Sequence, residues 1–548
     1  MRIAALDLGS NSFHLLVADV AADGSVEAVA RDKEMLRLGS QVARHGTIGE
    51  EAGRGALDVV RRFAALAESV GADQVVACGT AALRRAADAP ALLARMAEET
   101  GISVRVISGE EEARLIFGAV QASVVIDPAP AMAMDLGGGS LELTIGDQST
   151  VSWSTSLELG VARLSADLVR SDPPSAGDRR RVVRAVEDAL APHLPAISEA
   201  RPRMGIGSSG TLTTLVRLAA GGGAVPRPAS APGTLGRPGG INQPRTVNQL
   251  SVALDQLRDL EVQLLSQSSA ARASLPGVDA RRADLLPAGV ITAVTVMELT
   301  RIDRLTGCEW ALREGMVLDA ARSRSAATSP EDPAALRRRS VLDLCRRCRW
   351  PEVHSRKVAR LAIELFDGTR HRHRLGPEDR QLLEFGALLH DVGEHVSTDN
   401  HDQHSAYLIA HGRLRGFSPE EVAVLACLGR FHRQGSPKGS FEPWAAMPAG
   451  RRARTVVLVA LLQAADALDR GHGGPVRAVT VRDLTAGDAG GSGGTGGEGE
   501  EGGVLELAVD AEGDISLERW GLARKTDLLQ QVLACRVELT ERAAVPAA

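Results

Sequence analysis

Ile3-Ala-Ala-Leu-Asp7-Leu-Gly9-Ser10-Asn11-Ser12-Phe13-His-Leu-Leu-Val-Ala-Asp-Val20 is the stretch on which the fold turns. Ile3 to Asp7 and Phe13 to Val20 are short apolar runs of strand length, and the polar segment Leu8 to Ser12 between them reads as a turn. The same plan recurs at Ala131 to Asp135, Gly137-Gly138-Gly139-Ser140 and Leu141 to Ile145, again with an Asp immediately before the loop. Two copies of one strand-turn-strand unit predict two similar lobes whose loops face each other across a ligand-binding cleft. Further strands at Gln74 to Ala77 and Val104 to Ile107 alternate with Ala/Leu/Arg-rich helices, so the fold class is α/β.

Outward from these units the chain divides by pattern. The lobes are expected over residues 1–125 and 126–320, with a mobile Gly/Pro/Ala/Arg-rich insertion at about 221–240. Residues 321–474 read as an all-α domain, with helices over Lys357 to Phe366, Arg380 to His390, Glu420 to Phe431 and Ala453 to Leu468. A small α+β unit at 475–548 is expected to pair Arg477 to Leu484 with Val504 to Val509 around a disordered Gly/Glu-rich loop at 487–503, and to end in a helix from Lys525 to Arg542.

The 548 residues suit several domains of about 100–200 residues each. A balance of 63 basic and 69 acidic residues, net −6, argues against a general nucleic-acid binder or an anionic-membrane binder. An anionic ligand then needs a local pocket. Lys occurs only at 33, 357, 438 and 525, so the cations of such a pocket are Arg, which suits planar bidentate phosphate contacts. Of six Cys only Cys345 and Cys348 have a metal-like spacing, and no second pair completes a zinc site. Reduced thiols, no signal or anchor pattern and no long apolar run lead to the expectation of a cytoplasmic protein.

In Asp7-Leu-Gly9-Ser10-Asn11-Ser12, successive N–H groups and short polar side chains can converge on a phosphate, although a plain hairpin turn uses similar residues. The same holds for Gly137, Gly138, Gly139 and Ser140, and for Gly207-Ser208-Ser209-Gly210-Thr211, which opens a helix. Ser108 to Ala113 follows a strand and opens another helix, with Ser108 and Glu111 at capping-box spacing. Glu112 falls instead on the apolar stripe with Leu115, Ile116 and Ala119. It is either a base whose pKa is raised by burial beside phosphate or a third helix-dipole acid. Asp135 and Glu142 flank one loop and suit a hard ion such as Mg2+, with a solvated turn acid as the other reading of Glu142.

Together with Ser156-Leu-Glu-Leu-Gly160, Arg163-Leu164, Arg282-Ala-Asp284, Gly289 and Arg313-Glu-Gly315, these motifs resemble the Ppx/GppA phosphatases over roughly residues 1–320. The resemblance implies a duplicated actin-like ATPase fold. It makes Glu112 the catalytic base, Asp135 and Glu142 the magnesium-associated carboxylates, and the three Gly/Ser loops phosphate cradles, with Arg84 of Thr80-Ala-Ala-Leu-Arg84 also at a family position. It further implies removal of the terminal phosphate of inorganic polyphosphate by a homodimer, with removal of the 5′-terminal phosphate of guanosine pentaphosphate (pppGpp) as the alternative; the net charge adds the expectation of no nucleic-acid or membrane partner. A non-catalytic polyphosphate or alarmone sensor is a reading that Glu112, Asp135 and Glu142 disfavour. In the helical region, His354, His390-Asp391 and Asp466 resemble an HD-type metal-phosphohydrolase set, with His401, His404 and His432 nearby in sequence. The expected role of that region is to extend the substrate path and the dimer interface, with a second metal site as the alternative.

Overall fold

In a computed structural model of the chain, the described residues are 1–21, 25–221, 246–322, 333–484 and 503–542. The insertion expected at about 221–240 lies outside them apart from Gly221, as does the loop at 487–503 apart from Gly503. The chain forms two compact units, Met1–Leu336 and Arg337–Ala548.

The first unit contains two sheets. Strands β1 (Arg2–Leu8), β2 (Ser12–Val20), β3 (Val26–Met35), β4 (Gln74–Gly79) and β5 (Val104–Val106) lie in the order β3-β2-β1-β4-β5. Strands β6 (Ala131–Leu136), β7 (Leu141–Gly146), β8 (Val151–Leu157), β9 (Met204–Ser208), β10 (Ser251–Ala253) and β11 (Arg304–Gly307) lie in the order β8-β7-β6-β9-β11-β10. Within each sheet the first three strands are antiparallel neighbours, and the next two add in parallel. Apart from the edge strand β10, the second sheet repeats the first, which is the duplicated actin-like plan. Ile3 to Leu6 are fully buried, as are Ala131 and Met132. Such continuous apolar runs fit strands covered on both faces by helices. β3 and β8 escaped the sequence reading because each is a half-exposed edge rich in polar residues.

The helix Gly109–Gln121 starts where Ser108 Oγ accepts the Glu111 N–H at 3.1 Å, and it buries Leu115, Ile116 and Ala119. The helix Leu312–Arg322 crosses it, with Gly315 against the backbone of Leu115. In the second lobe the helix Leu286–Thr300 is apolar on all sides and buried from Leu286 to Met297.

In the second unit, the helices Glu352–His373, Pro377–Leu389, Pro419–Phe431 and Ala449–Ala467 share one apolar core with β12 (Val476–Leu484) and β13 (Val504–Ala511). The segments read in the sequence as an all-α domain and a separate α+β unit thus bury the same residues, including Phe366, Leu461, Val476 and Leu505. β12 and β13 pair antiparallel as expected. The expected final helix is corrected: it stops at Leu533, Ala534 turns the chain with φ 51°, and Arg536–Glu541 forms β14, parallel to β13. Val537 and Leu539 are partly buried against the core, so strand alternation overrides the helical propensity of this Leu/Glu/Arg-rich segment. His371 and His373 lie in the last turn of the helix Glu352–His373, and His371 and Arg372 both pair with Asp483 on β12. All six cysteines are free and buried, and Cys345 sits in the helix Pro333–Arg347 against the Leu388 carbonyl. Among the described residues no helix is long and apolar enough to cross a membrane.

Candidate active site

Ladder register gathers the polar residues of the second lobe. Asp135 on β6 is paired with Glu142 on β7 and with Ser208 on β9, and Glu142 is paired with Ser156 on β8. The row Ser208–Asp135–Glu142–Ser156 therefore points to one face of the sheet. Ser208 Oγ donates to Asp135 Oδ2 at 2.6 Å, and Ser156 Oγ donates to Glu142 Oε1 at 2.8 Å. Glu112 is brought to this row because Gly109, at the start of its helix, packs on Ser156; a Cβ on Gly109 would lie 2.4 Å from the Ser156 Cβ.

The loops converge as their glycines permit. A Cβ on Gly138 would meet the Asn11 Cβ at 2.8 Å, and one on Gly139 would meet the Ser10 Oγ at 2.5 Å, so the two duplicated loops touch through backbone and short side chains. Ser10 Oγ accepts the Ala82 N–H at 3.0 Å, while the buried Asn11 Nδ2 has no hydrogen-bond partner. A buried, unpaired amide donor at the meeting point of two N–H-rich loops is costly without an acceptor, which an anion supplies. At the third loop Ser209 has φ 71°, a left-handed conformation uncommon outside glycine, as Ser208 passes into the helix Ser209–Ala220. The Arg282 guanidinium packs on Gly210.

Four carboxylates are held in this region with little water. Burial, partly opposed by Arg84, pushes Glu112 up to about 7, with Asp135 adding to the rise. Burial raises Asp7 to about 7 against the opposing charge of Arg313, and Glu112 and Asp135 raise it further. Asp135 is raised by burial against its Ser208 hydrogen bond, and Glu142 well above the carboxylate range by burial and the charges of Glu112 and Asp135. Arg84 Nη1 donates to Glu112 Oε2 at 2.9 Å and to the Ile107 carbonyl at 2.7 Å. Mutually repelling buried carboxylates with oxygen donors and no His or Cys fit a hard divalent cation.

Several neighbours had no role assigned from sequence. Arg313 donates to His14 Nδ1 at 3.2 Å, and His14 Nε2 in turn donates to Ser12 Oγ at 2.7 Å; burial keeps the His14 ring neutral. Beside Asn11 opens a cavity of about 400 Å³, whose cationic lining is Arg37, Arg44, Arg170 and Arg272. Sequence gave no signal for these four Arg, which come from both lobes. Ser156 lies in the Ser156-Leu-Glu-Leu-Gly160 motif, but only the β7–β8 register places it opposite Glu142. In the second unit, His354 Nε2 lies 3.6 Å from Asp391 Oδ2 and 3.5 Å from Asp466 Oδ1, and His390 Nε2 lies 3.2 Å from Asp391 Oδ2, so that expected set of four also converges.

The model of the Ppx/GppA phosphatase family matches residues 16–324, and that of Ppx/GppA phosphatase domain III matches residues 336–489. The chain belongs to the Ppx/GppA phosphatase family. It is a hydrolase acting on phosphoanhydride bonds. Similar curated proteins are the guanosine-5′-triphosphate,3′-diphosphate pyrophosphatases of Photobacterium profundum, 28% identical over 84% of this chain and 86% of that one, and of Vibrio vulnificus, 28% identical over 79% and 80%. Among solved structures, an exopolyphosphatase from Cytophaga hutchinsonii is 28% identical with TM-score 0.52, covering 60% of this chain and 100% of that one.

Proposed function

We propose that this phosphatase is an exopolyphosphatase, releasing orthophosphate from the end of inorganic polyphosphate. The observation that carries the choice of substrate is the cavity beside Asn11: its lining includes four Arg against two Asp, Asp172 and Asp284, and no aromatic side chain. Such a surface suits a flexible polyanion better than a stacked purine, since guanidinium groups pair bidentately with phosphate oxygens. Two of these cations are held by the protein itself: Arg37 donates to the Arg281 carbonyl at 2.6 Å and lies 3.7 Å from Asp284, and the buried Arg272 donates to the Ala283 and Leu264 carbonyls at 3.0 and 3.1 Å and to Asp172 at 2.9 Å, so the exposed Arg44 and Arg170 are the cations offered to a ligand. The names of the curated relatives favour the second reading, removal of the 5′-terminal phosphate of pppGpp. Phosphate release from long polyphosphate, pppGpp and ATP at equal phosphate-end concentration separates the two. The proposal expects polyphosphate to have the highest kcat/KM; faster cleavage of pppGpp would overturn it.

In this reading Ser10, Asn11 and Ser12, Gly137 to Ser140, and Gly207 to Thr211 present N–H and hydroxyl donors to the terminal phosphate. Asp7 flanks them, and Asn11 Nδ2 gains the acceptor it lacks. Arg84 orients Glu112. Glu112 takes a proton from water, the water oxygen attacks phosphorus, and the bridging P–O bond to the shortened chain breaks, its electron pair leaving with that chain. Asp135 and Glu142 would hold Mg2+, which when bound neutralises charge on the phosphate oxygens.

Two expectations follow from the carboxylates. Asp135→Asn removes one charged donor and is expected to raise the magnesium concentration for half-maximal activity by about tenfold or more; an unchanged titration would remove Asp135 from the metal site. The pH dependence has a defined sign. A buried carboxyl raised from its ordinary range to about 7 binds its proton more tightly folded than unfolded, so it withdraws stability as pH rises through that interval. A bound cation reverses this repulsion but must displace protons at low pH. The rise in Tm on adding Mg2+ should therefore be larger at pH 8 than at pH 5.5, and equal rises would contradict the site.

A further inference from the structure

We infer that the cavity beside Asn11 is a groove for the internal phosphates of the substrate chain, and that Arg44 and Arg170 at its outer end select long chains over short ones. The ligand, a linear phosphate chain, is taken from the exopolyphosphatase reading above, on which this assignment rests.

Two helices wall the groove, and each starts on one of the duplicated loops. The Arg37 N–H donates to the Asn11 carbonyl at 2.9 Å and the Gly39 N–H to the Ser10 carbonyl at 2.7 Å, which ties the helix Leu38–His45 to the first loop. The Val161 N–H donates to the Gly137 carbonyl at 3.0 Å and the Ala162 N–H to the Gly138 carbonyl at 3.1 Å, which ties the helix Val161–Leu168 to the second. Because those loops touch at Asn11 and Gly138, both helices leave from the cradle of the terminal phosphate. Arg37, Ser40 and Arg44, spaced by three and four residues, share one face of the first helix. Ala162, Ser165, Ala166 and Val169 share one face of the second. Both faces line the cavity. From Arg37 to Arg44, and from Ala162 to Val169, the rise of 1.5 Å per residue carries each wall about 10 Å outward. Arg44 and Arg170 therefore stand at the end away from the loops.

The polar atoms of the wall ask for a ligand along this length. Asn11 Nδ2 at the inner end has no partner, and Ser165 Oγ, three residues along the second helix from Ala162, is likewise inaccessible and unpaired. A phosphate chain offers acceptor oxygens at every repeat, so one ligand satisfies both. The charges point the same way. Asp172 is held by Arg272 at 2.9 Å and by the Ser269 N–H at 2.8 Å, and Asp284 lies 3.7 Å from Arg37. These pairs offset one another, and the exposed side chains of Arg44 and Arg170, which have no ion pair with any described residue, leave the groove positive. Guanidinium groups about 10 Å from the cradle reach the internal phosphates of a long chain, whereas tripolyphosphate ends short of them. Phosphates bound there do not react, so their contacts hold ground state and transition state alike and act on KM more than on kcat.

The test compares the full chain with its Arg44→Ala, Arg170→Ala variant on long polyphosphate and on tripolyphosphate. The ratio of kcat/KM for the long chain to that for tripolyphosphate is expected to fall by about tenfold or more, through a rise in long-chain KM that shrinks as salt is added. Arg44→Lys with Arg170→Lys should recover part of the ratio, since charge returns without the bidentate fork. Arg95→Ala with Arg184→Ala removes two exposed Arg of the same unit that do not line the groove, and should leave the ratio near its wild-type value. Equilibrium binding of both ligands is measured as well on the Glu112→Gln chain, with and without the Arg44 and Arg170 changes. If pppGpp proves the better substrate while long-chain binding still depends on Arg44 and Arg170, the exopolyphosphatase reading fails and the groove stands. Equal losses on the two ligands, no loss on either, or an equal effect of the Arg95 and Arg184 changes, in proteins with wild-type melting curves, would overturn the groove.

Discussion

Glu112→Gln is expected to lower kcat for phosphate release by about 10² or more, with KM changed by much less. The substitution keeps the size of the side chain and leaves an oxygen that can accept from Arg84 Nη1, which now lies 2.9 Å from Glu112 Oε2. What it removes is the ability to take a proton, and general-base catalysis typically contributes 10²–10⁴-fold. Because burial pushes Glu112 up to about 7, wild-type activity should rise with pH through that region, and the variant should lose this limb of the profile. Its fold should not suffer, since an amide in this pocket costs no ionisation. Near-wild-type turnover, or an equally large loss of polyphosphate binding, would show that Glu112 is not the base.

Gly315→Val is expected to cost more than about 3 kcal/mol, enough to lower Tm by several degrees, and to impair activity in whatever protein still folds. A Cβ at Gly315 would lie 2.0 Å from the carbonyl oxygen and 2.7 Å from the carbonyl carbon of Leu115. The obstacle is the backbone of the helix Gly109–Gln121, so no rotamer change relieves it, and the helix Leu312–Arg322 must move away. That displacement acts on the helix carrying Glu112, three residues before the contact. Gly118→Ala provides the control: its Cβ would meet nothing within 4 Å, and replacing a helical glycine by alanine there should be neutral or stabilise by up to about 1 kcal/mol. Equal melting curves for Gly315→Val and wild type would mean that the two helices do not pack this closely.

The sequence alone determined the features that depend on local order. The repeated strand-turn-strand units with Asp7 and Asp135 required paired strands, and the observed sheets repeat one order around them. The Ser108 cap and the apolar stripe of its helix placed Glu112 toward the interior, where it is 7% exposed. Such readings succeed because side-chain period and capping are set within a few residues of chain.

Tertiary structure decided what depends on distant segments meeting. Register across β9, β6, β7 and β8 aligned Ser208, Asp135, Glu142 and Ser156 in one row, and register is not written in any strand taken singly. The C-terminal strand Arg536–Glu541 exists because β13 offers it an edge, against a composition that reads as helix. The four cavity Arg and the pairing of His401 with His432 arise from long-range packing. Burial supplied the rest: only the surrounding protein removes water from Asp7, Glu112, Asp135 and Glu142, and desolvation is what raises their pKa values.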